Sequence, residues 1–288
     1  MRLLFIHGIA QQDYSEAQLL GIWSEHLLDN GLDAGRLRAS EPAMAYYGDR
    51  LYTWTKGDAA NPVAMGLTVE NDELDFLAKT LDEIASANAL DEDEIEALAY
   101  AATVAEGTQA IAQSSWIGRR AVAIVSLLER ISPARGQFAA RVVREAYIYL
   151  ANPGARKEID DIVRPRIGSG ELVIVSHSLG TVVAFNLLRE LASAGADVQI
   201  PLLVTLGSPL GLHEVKKQVG GAFAIPRNVT RWMNFYDKGD PVTLGRALAT
   251  SFAAGIVDTV VDNNTDNAHS IAGYLDDKQL IDILAAVL

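Results

Sequence analysis

The chain has 288 residues, a formal net charge of −13, no cysteine, and 49% hydrophobic residues. That length and apolar content suffice for one large α/β domain, or for such a domain carrying an insertion. The acidic balance argues against nucleic acid as a partner and against electrostatic attachment to anionic membranes. The lack of cysteine excludes a disulfide framework and thiol chemistry.

The chain opens with MRLLFIHGIA, too short an apolar run for a secretory signal. No run reaches the roughly 18 apolar residues of a membrane span, so a soluble, cytoplasmic protein without an integral membrane segment is expected. RLLFIH reads as a buried strand and AQLLGIWSEHLLDNG as an amphipathic helix closed by Gly31. AMAYYGD reads as a second strand, with no helix assigned directly after it. From residue 58 to residue 135 no strand is evident. NDELDFLAKTLDEIAS places Leu74, Leu77, Leu81 and Ile84 at helical spacing, and Asp91 with Glu94 forms a capping-box-like pair before a second helix. IGRRAVAIVSLLERISP reads as a third helix, stopped at Ser132-Pro133. So long a helical stretch exceeds an ordinary crossover. It reads as a helical cap, 58–135, inserted into an α/β core of 1–57 and 136–288, with a homodimer interface as the alternative role. GQFAARVVREAYIYLANPGAR then reads as one crossover helix. ELVIVS, PLLVTLG, VTRWMNFYD and IVDTVVD complete a set of six strands, and DDKQLIDILAAVL reads as the final helix. Strands alternating with helices predict a doubly wound, mainly parallel sheet.

The chemistry centres on VIVSHSLGTVV, a strand followed at once by a helix, with Ser178 on the turn between them. Ser178 is either a helix cap or a nucleophile on a sharp turn. The pattern is G-x-S-x-G with its first glycine replaced by Ser176. A serine nucleophile needs a base, an orienting acid and donors for an oxyanion. The Leu179 N–H is one expected donor. The loop after the first strand offers a second at Ile9, with Ala10 next; His7 there reads as structural. A base placed late in the chain points to His269, with His213 as the weaker choice. The acid is sought after RWMNFYD, where Asp240 is favoured over Asp237; a turn-forming aspartate beside Gly239 is the bland alternative. Asp258 and Asp262 lie too near the histidine segment to be favoured.

FIHGIAQQ, VSHSLGTVVAFNLL, TLGSPLG, WMNFYDKGDPV and HSIAGYL together resemble bacterial lipase/esterase-like serine hydrolases of the α/β-hydrolase superfamily. The resemblance covers about 1–48 and 137–288 and leaves the helical insertion aside. It implies Ser178 as nucleophile, Asp240 as acid and His269 as base, with backbone donors at Leu179 and near Ile9. It further implies a fold lacking the first two strands of the family, and a site where the first and third strands lie side by side. The implied activity is hydrolysis of a small-molecule or lipid-like carboxylic ester through an acyl-enzyme, with no metal or organic cofactor. The same triad serves thioesterases, amidases and acyltransferases, and an inactive member acting as an interaction protein is the rival of another class.

Overall fold

A computed structural model describes residues 1–55, 71–105, 116–131, 135–263 and 267–288. Six strands form one sheet: β1 (Arg2–Ile6), β2 (Ala43–Ala45), β3 (Gly170–His177), β4 (Val198–Leu206), β5 (Trp232–Asp237) and β6 (Val257–Val261). Their order is β2-β1-β3-β4-β5-β6 and every pairing is parallel. The expected six-stranded parallel sheet is therefore present.

The strand sequences explain the layers. In β1, Leu4 and Ile6 face one side while Leu3 and Phe5 face the other, and all are buried. Apolar side chains on both faces are what a sheet covered twice by helices requires. One face is covered by α1 (Glu16–Asp29), through Leu19, Trp23 and Leu27, and by α13 (Lys278–Val287), through Leu280 and Leu284. The other is covered by α8 (Pro153–Ile167) and α9 (Leu179–Ser193), and α7 (Arg135–Ala151) packs on both of these helices. Each large side chain buried in this way contributes about 2 kcal/mol relative to exposure.

α9 is buried nearly all round, from Leu179 to Leu188. The sequence stripe of Leu179, Val183, Leu187 and Leu191 shows only part of this buried surface. α9 packs on β1, β3 and β4 and also against α7 and α8, which is why the helix carries no charge until Arg189.

Three details differ from the sequence reading. First, β2 is followed promptly by a helix, α3 (Gly48–Thr55). Second, the single crossover helix is two. α7 ends at Ala151, and Asn152 caps α8 by accepting from the N–H groups of Gly154 and Ala155, with Pro153 in the first helical position. Third, short helices α2 (Ala34–Ala39), α10 (His213–Val219), α11 (Leu248–Ser251) and α12 (Ile271–Leu275) fill the connections.

Within the long helical stretch, α4 (Asn71–Ala87) and α5 (Glu92–Ala105) both pack on α6 (Trp116–Ile131), and α4 and α6 pack on α7. Leu77, Leu81 and Ile84 of α4 are buried as their spacing predicts. The capping pair is half realised: Asp91 accepts from the Asp93 N–H, while Glu94 turns outward to pair with Arg130.

The chain leaves β1 toward β2 and leaves β3 toward β4, in opposite directions along the sheet. β1 and β3 are neighbours, so their C-terminal ends form the crevice where doubly wound sheets bind ligands. His7-Gly8 and His177-Ser178 lie at those two ends.

Candidate active site

Ser178 occupies the turn between β3 and α9 with φ 52° and ψ −126°. That combination is nearly confined to glycine, and holding serine in it costs on the order of 1–3 kcal/mol. The surroundings enforce it. The Ser178 N–H donates to Leu206 O at 3.0 Å, and the Thr181 hydroxyl donates to Ser178 O at 2.7 Å. Ser178 makes no side-chain cap bond to α9, so the helix-cap reading of this serine fails. Its Oγ is buried and has no hydrogen-bond partner.

The turn depends on residues that remove bulk. A Cβ at Gly180 would lie 2.4 Å from Ile6 O and 2.5 Å from His7 O, so only glycine lets α9 start against the end of β1. A Cβ at Gly8 would lie 2.7 Å from the Ser178 Cβ. Ser176, in place of the motif's first glycine, is fully buried and donates to Val204 O of β4 at 3.0 Å. Its hydroxyl therefore carries no unpaired polar cost.

His269 lies in the loop before α12. Its Nδ1 bonds Asp240 Oδ2 at 2.7 Å, and both side chains are completely buried. Asp240 follows β5 and its Oδ1 accepts from the Val242 N–H at 2.8 Å. Its Oδ2 also accepts from the Tyr274 hydroxyl at 2.8 Å, and the Tyr274 oxygen in turn accepts from the Asp237 N–H at 3.1 Å. Burial, and then Asp240 itself, pushes the Tyr274 hydroxyl well above its usual range, so it remains a donor. Sequence reasoning missed Tyr274; the signal available was a tyrosine one helical turn beyond the histidine loop.

Asp237 does not reach the histidine. Its carboxylate accepts from the N–H groups of Gly239 and Asn263, joining the two loops that carry Asp240 and His269. Asn263 continues the tie by donating to the carbonyls of Ala268 and Ser270. His213 opens α10, where its side chain is exposed and its N–H donates to Glu83.

The imidazole of His269 packs over Gly207, where a Cβ would come within 3.1 Å of the ring. It also lies 4.8 Å from the His177 ring and 5.2 Å from Phe138 of α7. Gly207 and His177 flank the Leu206 carbonyl that holds Ser178, so base and serine share one corner of the sheet edge. His269 Nε2, like Ser178 Oγ, is buried without a partner, and the two do not bond each other in this structure. Catalytic contacts between such groups commonly tighten only when substrate binds. His177 Nε2 bonds the His269 carbonyl at 3.1 Å, and burial keeps its ring neutral by pushing its pKa well below the usual range.

His7 has the structural role expected of it. Its Nδ1 donates to Gly8 O at 2.7 Å and its Nε2 accepts from the Tyr47 N–H at 3.0 Å. One neutral tautomer satisfies both bonds, and burial lowers the His7 pKa to about 4. Ile9 is buried in the loop beyond Gly8, with its carbonyl accepting from Gln11 Nε2 at 2.8 Å. Ala10 follows in a left-handed conformation, φ 60°. Leu179 is the first residue of α9, where N–H groups have no partner within the helix.

No helix among the described residues is long and apolar enough to cross a membrane. No protein-family model matches the sequence, and a search of curated proteins finds no match.

Proposed function

We propose that this protein is a serine hydrolase of the α/β-hydrolase kind that cleaves carboxylic esters, small or lipid-like, through an acyl-enzyme. The observation that carries the reading is the buried His269–Asp240 pair, whose Nε2 is unpartnered, together with a strained, uncapped Ser178 whose Oγ is equally unpartnered.

In this mechanism Ser178 Oγ attacks the ester carbonyl as His269 Nε2 takes its proton. Asp240 holds His269 Nδ1–H and stabilises the imidazolium; Tyr274 and the Val242 N–H hold Asp240. The N–H groups of Leu179 and Ile9 receive the oxyanion, with roughly 3–4 kcal/mol at stake per donor. The tetrahedral intermediate collapses, His269 returns the proton to the departing alkoxide, and the alcohol leaves. Water, deprotonated by His269, then attacks the acyl group and releases the acid and Ser178. Helices α4–α6, through α7 and its Phe138 beside His269, are read as the cap that shapes the acyl side of the site.

Labelling with a fluorophosphonate and hydrolysis of p-nitrophenyl butyrate test the reading. Wild type should label and turn over; Ser178→Ala should do neither. Asp240→Asn should lower kcat about 10⁴-fold by presenting the wrong histidine tautomer. Asp237→Asn should lose stability but keep turnover. A folded wild type that does not label sinks the proposal, and a dead Asp237→Asn beside an active Asp240→Asn overturns the choice of acid.

A further inference from the structure

Asp240 shares one of its oxygens between two donors, and the second of them, Tyr274, is no member of a Ser-His-Asp triad. Tyr274 lies on α12, five residues beyond His269, with its side chain fully buried. Its ring stands against Gly207, where a Cβ would come within 3.1 Å of the tyrosine ring and of the His269 ring alike. One glycine therefore seats the two side chains together. The far end of α12 is tied to α1: the Asp276 carboxylate, at the C-cap of α12, bonds His26 Nδ1 and Asn30 Nδ2, each at 2.8 Å.

The tyrosine hydroxyl has one proton, and its neighbours decide where that proton goes. The Asp237 N–H, at the end of β5, can only donate, and it occupies a lone pair of the Tyr274 oxygen at 3.1 Å. The proton is left for Asp240 Oδ2, 2.8 Å away. His269 Nδ1 bonds the same Oδ2 at 2.7 Å, while Oδ1 accepts from the Val242 N–H. A donor to an ionised carboxylate stabilises its charge. Charge stabilised at Oδ2 in this way attracts an imidazolium at His269 less strongly, and the low effective dielectric of a buried site enlarges that difference.

We infer that Tyr274 is a positioning residue that acts through Asp240: its hydroxyl holds Oδ2 against His269 Nδ1 and, by drawing on that oxygen, lowers the pH at which His269 becomes a base for Ser178. The inference rests on the serine-hydrolase reading. The other titratable groups around the pair keep their states when the hydroxyl is removed. Asp237 engages both oxygens with the N–H groups of Gly239 and Asn263. His177 donates Nε2–H to the His269 carbonyl and is kept neutral by burial, as is His7 beyond it. Phe138 of α7 and Gly207 bring no charge to the ring.

Tyr274→Phe removes only the hydroxyl, and the acid limb of kcat/KM reports the base of the free enzyme. With p-nitrophenyl butyrate, Tyr274→Phe should move that limb up by about 0.5–1 pH unit, which below the limb is a loss of about three- to tenfold relative to the variant's own plateau. Tyr274→3-fluorotyrosine, a stronger donor of nearly native shape, should move the limb down. The same displacements should appear when the His269 ring is titrated by NMR, which needs no turnover. A lower plateau with an unmoved limb is what loosened packing would give, and it overturns the inference; so does a limb that moves the other way. If Tyr274→Phe does not fold, the fluorotyrosine variant carries the test, and an unmoved limb there overturns the inference as well. Fluorophosphonate labelling of wild type is run alongside. Its absence would defeat the hydrolase reading itself, a failure distinguishable from a labelled enzyme whose His269 titration is indifferent to the Tyr274 hydroxyl.

Discussion

At the scale of single residues, strain is concentrated where β1 and β3 end. Ser178 and Ala10 both have positive φ, and Ser178 is held from outside its own segment by the Leu206 carbonyl of β4. The same corner buries two neutral histidines, His7 and His177. Their depressed pKa values set a direction for acid stability. His7 titrates near 6.5 when unfolded and near 4 when folded, so below 6.5 the unfolded chain binds the extra proton. Stability from His7 is complete above about pH 6.5 and is lost as pH falls toward 4, by roughly 3 kcal/mol in all. His177 acts in the same direction. Urea midpoints measured between pH 7 and 4.5 should fall accordingly in wild type. His7→Gln, which keeps a donor and an acceptor but does not titrate, should fall less over that window. An equal fall in both would show that His7 does not contribute.

At the scale of elements, the junction of β3 and α9 is the most constrained in the chain. α9 begins against the carbonyls of Ile6 and His7, and those belong to a central strand that cannot retreat. Gly180→Ala should therefore cost at least about 2 kcal/mol, as overpacking does, and displace Ser178 as α9 shifts. Gly195→Ala makes the comparison: it sits past the end of α9 with open space around it, so its cost is the φ 68° strain alone and activity should stand. Equal activity in the two would remove the close approach as the reason for Gly180. This junction was legible in the sequence because strand, turn and helix are adjacent in the chain and each carries its own pattern. The meeting of Asp240 with His269 was legible too, since both follow recognisable strands in order. Tyr274 was not, because what it does depends on a partner brought in by the fold, Asp240. The division of α7 from α8 was legible but passed over: Asn152-Pro153 is a helix start written inside an otherwise helical run. α3 was hidden by the short polar run GDRLYTWT, whose buried face is only Gly48, Leu51 and Thr55.

At the scale of the whole molecule, the helical stretch is bound to the sheet more closely than an inserted cap of 58–135 suggests. Leu81 of α4, Ile95 of α5 and Ile124 of α6 belong to the same apolar cluster as Ile174 of β3 and Val183 of α9. α7 is the bridge: it packs on α4 and α6 on one side and on α8 and α9 on the other. Gly136, near its start, lies so close to the Val125 backbone of α6 that a Cβ there would meet its carbonyl oxygen at 2.2 Å. A layer sharing its core with the sheet loses part of its apolar packing once the sheet opens. The protein should then unfold in one step rather than two. Trp232 reports on the shared cluster and Trp23 on the opposite face of the sheet, both fully buried, while far-UV circular dichroism reports on all the helices. Guanidinium curves from tryptophan fluorescence and circular dichroism should superimpose. A loss of helical signal at lower denaturant, with the fluorescence unmoved, would mean that α4–α6 fold as a separate unit.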